Sequence, residues 1–272
     1  MMKRSASMLL FSCAIALYCL IPFLWFVLTS LKSQAELTAI PPDLVPAFQW
    51  GFYRSALEER GLLRYIGNSV VVAGAATVTT IFIGSLAAYA IARMESRWTS
   101  FYLMLLLAIS MFPQIAIAGP VWNILNRVGS LNTYQGLVAA YIALTLPLGI
   151  WILTTFFRQV PKEIEEAALI DGCGRLQVLW KIVLPLAAPG ILTAALLVFI
   201  YAWNEFFFAL IIMTDPDIQT LPVGIALFPG EYTMPWGEIA AASTVATMPL
   251  ILLTLLFQRG IVRGLAAGAV KG

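Results

Sequence analysis

Residues 158–186 read RQVPKEIEEAALIDGCGRLQVLWKIVLPL, a polar stretch between two long apolar runs. A connector between neighbouring helices needs only a few residues, so a segment of this length carries structure of its own. Pro161 suits the first turn of a helix, and Glu163, Glu165 and Glu166 sit near its positive N-terminal end. Gly172 and Gly174 interrupt it, because glycine readily takes the positive φ that ends a helix. Beyond them Leu176, Leu179, Trp180 and Val183 recur at helical spacing, and Pro185 closes the segment. The expectation is two short helices around a glycine break, the second with a half-apolar face. Such a face lies on a lipid surface or docks into another protein, and periodicity leaves both open.

The runs on either side decide the fold class. Of 272 residues, 61% are apolar and 11% charged, against about 25% charged in soluble domains. Mean hydropathy is +0.89. Six apolar segments, at 8–30, 68–92, 101–125, 136–157, 187–213 and 239–258, match the roughly 30 Å hydrocarbon layer of a bilayer. Lipid offers backbone groups no partners, so each is expected to be a helix, giving an all-α, polytopic membrane protein of six spans. The first run starts after Lys3 and Arg4 like a signal peptide, but it is too long and lacks an A-x-A site, so it reads as an uncleaved anchor. Pro22, Pro113, Pro120, Pro147 and Pro249 fall within or beside spans, which membrane helices tolerate when neighbours re-satisfy the freed carbonyl. Gly84, Ala88 and Ala92, four apart, form a flat strip for close helix packing.

The same composition excludes several chemistries. There is no histidine, which removes imidazole bases and His-ligated metals. Cys13 and Cys19 lie in the first apolar run and Cys173 in the polar loop, so no disulfide framework or CxxC site is present. The net charge of +2 and scattered basic residues give no footprint for nucleic acid. No lysine follows a glycine, so the GxxxxGK[ST] phosphate loop is absent. ATP-driven work would need another subunit to bind the nucleotide.

Basic residues orient the spans. With the N-terminus inside, Lys3, Arg4, Arg93, Arg97, Arg158, Lys162, Arg175, Lys181, Arg259, Arg263 and Lys271 are cytoplasmic, eleven of the 16 Lys and Arg. Lys32, Arg54, Arg60, Arg64 and Arg127 fall outside, and loop 214–238 has no basic residue at all. Both termini are expected in the cytoplasm, with segment 158–186 on the same side.

Within that segment, Glu166-Ala167-Ala168, then Gly172 after three residues, then Ile182-x-Leu184-Pro185 after nine more, resembles the EAA signature of ABC-importer permeases at every spacing. Asp171 before Gly172 matches its extended form. Ala202-Trp203-Asn204-Glu205-Phe206 and the closing stretch from Gly264 to Gly272 are similar to the sugar-uptake branch, and within it to the second permease of maltose- and trehalose-type importers. The core resemblance covers 65–260. It follows an N-terminal helix and first extracytoplasmic loop, 1–64, and is followed by a cytoplasmic tail, 261–272. Cys173 stands where alanine is common, a small thiol that packs as a small apolar group.

The resemblance implies a type I permease architecture, and a subunit that translocates a di- or oligosaccharide such as maltose or trehalose across the cytoplasmic membrane. It implies no catalytic residue and no cofactor in this chain, ATP and Mg being bound by separate ATPase subunits. The implied partners are a homologous second permease, two ATPases, an extracytoplasmic sugar-binding protein and membrane lipid. Glu166, Ala167 and Ala168 would contact the ATPase, Gly172 would permit the bend, and Asp171 would fix it by bonding local amides. Gly268, Val270, Lys271 and Gly272 would belong to a thin, flexible tail reaching between the ATPases. Phe228, Tyr232 and Trp236, among the prolines of loop 214–238, would form a shaped surface for the binding protein.

Glu205 is the acidic residue well inside an apolar run, where an unpaired charge costs several kcal/mol. With Trp203 and Asn204 it offers groups suited to a sugar, yet successive residues on a helix cannot all line one surface. A hydrogen bond to a neighbouring helix competes with sugar contact. Alternatives at the level of the whole chain are import of glycerol-3-phosphate or a polyol by the same architecture, and an integral membrane enzyme or scaffold.

Overall fold

The computed structural model describes residues 2–94, 96–229 and 234–269, and these contain helices and connections but no strand. The long elements are α1 (Met2–Ser30), α2 (Leu62–Arg93), α3 (Thr99–Ser110), α4 (Gln114–Arg127), α5 (Tyr134–Phe157), α6 (Lys162–Ile170), α7 (Arg175–Leu186), α8 (Ala188–Asn204), α9 (Phe207–Ile212) and α10 (Trp236–Ala269). Among the described residues, four helices are long and apolar enough to cross a membrane, or six spans if each of two bent pairs is one.

Two expected spans are each divided. Segment 101–125 is not one helix: α3 and α4 meet at 86°. Pro113 has no N–H to continue the ladder, and its ring disfavours helical backbone at Phe112, so the chain breaks over Met111–Pro113. Segment 187–213 is likewise two pieces. α7 turns through 83° into α8 at Ala187, and α8 stops at Asn204 because Glu205 is extended (φ −67°, ψ 127°). α9 then starts afresh.

The described chain forms two compact units. One comprises Met1–Ile66 with Val223–Pro249. In it, the Ser30 and Tyr53 hydroxyls bond at 2.7 Å, and Arg60 Nε donates to Glu238 at 2.8 Å. Ser33 and Glu36 form a reciprocal cap: Ser33 N–H donates to the Glu36 carboxylate at 2.6 Å and Glu36 N–H to Ser33 Oγ at 3.3 Å. The Ser33 amide holds the Glu36 carboxyl below its ordinary value.

The other unit comprises Gly67–Pro222 with Leu250–Gly272, and α5 is its centre, packed on by α3, α8 and α9. Close approach depends on small residues. A Cβ on Gly84 of α2 would touch Leu153 at 3.4 Å, and one on Gly149 would press Thr80 at 3.0 Å. The buried hydroxyls of Thr80 and Thr145 pair across α2 and α5 at 2.8 Å. Each hydroxyl is thereby satisfied away from water.

Candidate functional site

α6 starts after Pro161 and ends at Asp171, where Gly172 has φ +88°. Gly172 N–H donates to Leu169 O at 3.1 Å and Cys173 N–H to Ala168 O at 3.0 Å. These are the two backbone bonds of a Schellman stop, with glycine at its left-handed position. Gly174 differs from the expectation: its φ is −73°, and it opens α7 while its N–H donates to Gln177 Oε1 at 3.0 Å. The Asp171 carboxylate is exposed and bonds no amide among the described residues, so the bend is held by backbone alone.

The faces of α6 divide sharply. Glu166 and Ala167 point outward, whereas Ala168 is buried. The residue that anchors the helix is Glu165, only 5% exposed. Its carboxylate accepts from Arg93 Nε at 2.8 Å and Tyr89 Oη at 3.0 Å, and the Arg93 Nη2 group also reaches it. Arg93 Nη2 donates further to the carbonyls of Phe157 at 2.9 Å and Val160 at 3.1 Å. One guanidinium thus ties the end of α2 to the end of α5 and the start of α6. The sequence reading missed Glu165 as an anchor, although its spacing of three from buried Ala168 marks the inward face.

α7 continues the segment, with a π-helical turn at Leu179–Val183. Val178, Leu179 and Val183 are buried against Leu153, Phe157 and Ala168, with Ile182, Leu184 and Cys173 packed at the edge. Pro185 lies in the last turn of α7, exposed. The polar segment is therefore a hairpin of two helices seated on the membrane core by its apolar side. Ile170, at its tip, is 86% exposed.

In the membrane, Trp203, Asn204 and Glu205 part company. Trp203 is 3% exposed and stacks on Phe199 at 5.6 Å. Glu205 is 6% exposed; its carboxylate accepts from the backbone N–H of Phe208 at 2.9 Å and of Ala209 at 3.1 Å, while its carbonyl accepts from Tyr141 Oη at 3.3 Å. It satisfies the first amides of α9, which is why a carboxylate survives here. Neither side chain reaches a surface, so of the two roles left open for Glu205 the geometry has the hydrogen bond within the protein rather than a group beside a substrate; Asn204 is exposed. Gln114 Nε2 donates to Tyr201 Oη at 2.7 Å. This long-range pair has no sequence signature.

Phe228 is buried under the Arg60 guanidinium, 5.5 Å from its ring centre, and so is not the surface contact expected of it. Trp236 is exposed, and Tyr232 lies outside the described residues. α10 runs to Ala269, so Gly268 is in helical backbone rather than a flexible insert; Val270, Lys271 and Gly272 lie outside the described residues.

Comparison with known proteins agrees with this architecture. Residues 80–267 match the family described as binding-protein-dependent transport system inner membrane component. A trehalose/maltose transport system permease protein of Thermococcus litoralis is 44% identical, over 94% of this chain and 93% of its own length. A sulfoquinovosyl glycerol transport system permease protein of Agrobacterium fabrum is 41% identical, over 93% and 89%. A trehalose transport system permease protein of Mycobacterium tuberculosis is 40% identical, over 94% and 93%. A chain of a bacterial ABC transporter involved in import of the acidic polysaccharide alginate shares the fold, with TM-score 0.77 over 92% of this chain and 93% of that one, at 22% identity. An enzyme or scaffold is thereby set aside, since such proteins are transport components. The chain belongs to the family of binding-protein-dependent inner membrane transport components, the permease subunits of ABC importers.

Proposed function

We propose that this chain is the second permease of a sugar importer, moving a neutral di- or oligosaccharide such as maltose or trehalose inward. On this reading it crosses the cytoplasmic membrane six times with both termini inside. It pairs with a homologous but different permease, two ATPases that bind ATP and Mg, and an extracytoplasmic sugar-binding protein. The observation that carries the reading is the seating of α6: Glu165 and Ala168 face the membrane core while Glu166, Ala167 and Ile170 face away. That is the form of a lever, fixed on one side and offered to a partner on the other. Closure of the ATPase dimer draws two such levers together, and the Arg93 tether carries the displacement into α2 and α5 as one body. The tail, Gly268 to Gly272, reaches between the ATPases, and Trp236 contributes to the contact with the binding protein. The trehalose and maltose permeases among the relatives support the substrate class.

The test is purification of the complex through a tag on this chain, followed by reconstitution in lipid vesicles with the binding protein. ATPase and second permease should co-purify, and labelled maltose or trehalose should enter only with ATP. Co-purification without uptake of either sugar refutes the substrate; absence of an ATPase refutes the assembly.

A further inference from the structure

Non-helical backbone at membrane depth persists only where it is buried in protein or lines a water-filled cavity. Among the described residues, the interruptions at Met111–Pro113 and at Glu205–Phe206 fall inside apolar segments, and the Gln114–Tyr201 hydrogen bond of 2.7 Å joins them. Gln114 is the first residue of α4 and Tyr201 lies in the last turn of α8. The depth follows from helix rise. Gln114 is thirteen residues before Arg127 on α4, roughly 20 Å below the outer end at 1.5 Å per residue. Tyr201 is eleven residues before Ile212, whose carbonyl accepts from Asn132 N–H at 3.0 Å in the loop that follows α4. With the Arg127 end at the outer face and α4 along the bilayer normal, as the import reading takes them, both lie within a hydrocarbon layer of about 30 Å.

Polar side chains that are neither buried nor at the interface do not face lipid at that depth without cost. Tyr201 and Asn204, three apart, share one exposed side of α8, and Gln114 is half-buried beside them. Phe206, also exposed, adds an aromatic face. The side is uncharged: α4, α8 and α9 carry one charged residue between them, Arg127 at the outer end, because Glu205 lies just outside the helices with its carboxylate buried on two amides. Two amides and a phenol next to exposed aromatic surface suit hydroxyl groups and the apolar faces of a sugar ring. They offer an anionic substrate no cation.

We infer that Gln114, Tyr201 and Asn204 are this chain's contact with the passing sugar, and that the contact selects neutral polyhydroxy substrates. The inference rests on the sugar-import reading and adds where, and through which groups, the chain touches its cargo. Trp203 and Glu205 act behind this surface as positioning residues, the first by stacking and the second by starting α9.

The experiment measures uptake of labelled maltose and labelled trehalose, delivered by one binding protein, in vesicles holding the assembled complex. The variants are Asn204→Ala, which leaves the Gln114–Tyr201 bond intact, and Tyr201→Phe, which removes the acceptor but keeps the ring. A helix brace would scale both sugars alike, whereas a sugar contact changes their ratio. Each variant should shift the maltose-to-trehalose ratio by about fivefold, the size of one hydrogen bond. An unchanged ratio overturns the inference whatever the overall rate. Loss of both variants from the membrane also overturns it, by making the cluster a folding element. If the parent itself imports neither sugar, the sugar reading fails first and is recognised in the parent.

Discussion

Replacing Gly172 by valine isolates the bend from everything around it. A Cβ there would meet nothing within 4 Å, so the substitution makes no clash, and its whole cost lies in the backbone at φ +88°. A β-branched residue at that φ costs about 1–3 kcal/mol, a factor of roughly 5 to 150 in the population of the bent loop. Relaxing the φ would surrender the bonds from Gly172 to Leu169 and from Cys173 to Ala168, and would swing Glu166 and Ala167 away from their present face. The spans are separate from this turn, so Gly172→Val should reach the membrane at near-parental amounts while uptake falls. The ATPases should co-purify weakly, or hydrolyse ATP without response to the loaded binding protein. Gly172→Asn is the control, because asparagine tolerates positive φ, and it should retain most of the uptake. Parental uptake and parental ATPase retention in the valine variant would refute the lever. Equal loss in the asparagine variant would show that φ is not the cause.

Three further outcomes are expected. Glu165→Ala leaves Arg93 buried without its carboxylate, and should destabilise the chain by about 3–5 kcal/mol, read as a lower melting temperature of the detergent-solubilised complex. Gly190→Ala drives a Cβ into the Phe156 ring, an overpacking worth about 1–3 kcal/mol; adding Phe156→Leu should restore much of the melting temperature. Glu36 ties the amides of Ser33 and Ala47, at 2.6 and 3.4 Å, and its folded-state carboxyl titrates below the ordinary value, chiefly through the Ser33 amide. Its contribution is therefore present above the unfolded carboxyl value and lost as pH falls through the folded one. Protease cleavage within 38–47 should rise on acidification in the parent, and should be high and less dependent on pH in Glu36→Gln.

Hydropathy and spacing were enough to place the apolar segments and the polar hairpin, because both are written in consecutive residues. Gly172 was legible for the same reason: a helix stop is a local event. The breaks inside 101–125 and 187–213 were not, since apolar residues continue on either side of Met111–Pro113 and of Glu205–Phe206 while the backbone turns, and a lone Glu205 does not by itself announce a break. Pro113 was visible, but prolines also sit within α1, α5 and α10 without dividing them. Glu165 and Glu166 are chemically identical neighbours, and only the position of Arg93 some seventy residues earlier tells them apart. Gln114 and Tyr201 meet solely because two helices cross there. Phe228 carries no mark of burial in its own stretch of sequence, because nothing nearby announces Arg60.

Where its side chains are described, α1 is exposed from Leu10 to Pro22, and burial begins only in its final turns, ending at Ser30. Its side chains between Leu10 and Pro22 touch little else in the chain, so this fold places almost no shape requirement on them. Selection from within the subunit can act there on little more than the ability to stay in lipid. The stretch is free to drift among apolar residues between species, far faster than α5, half of whose residues are buried. Any position in α1 that resists such drift would then be held by something other than this chain, and the pattern of those positions would trace the outline of whatever lies against it.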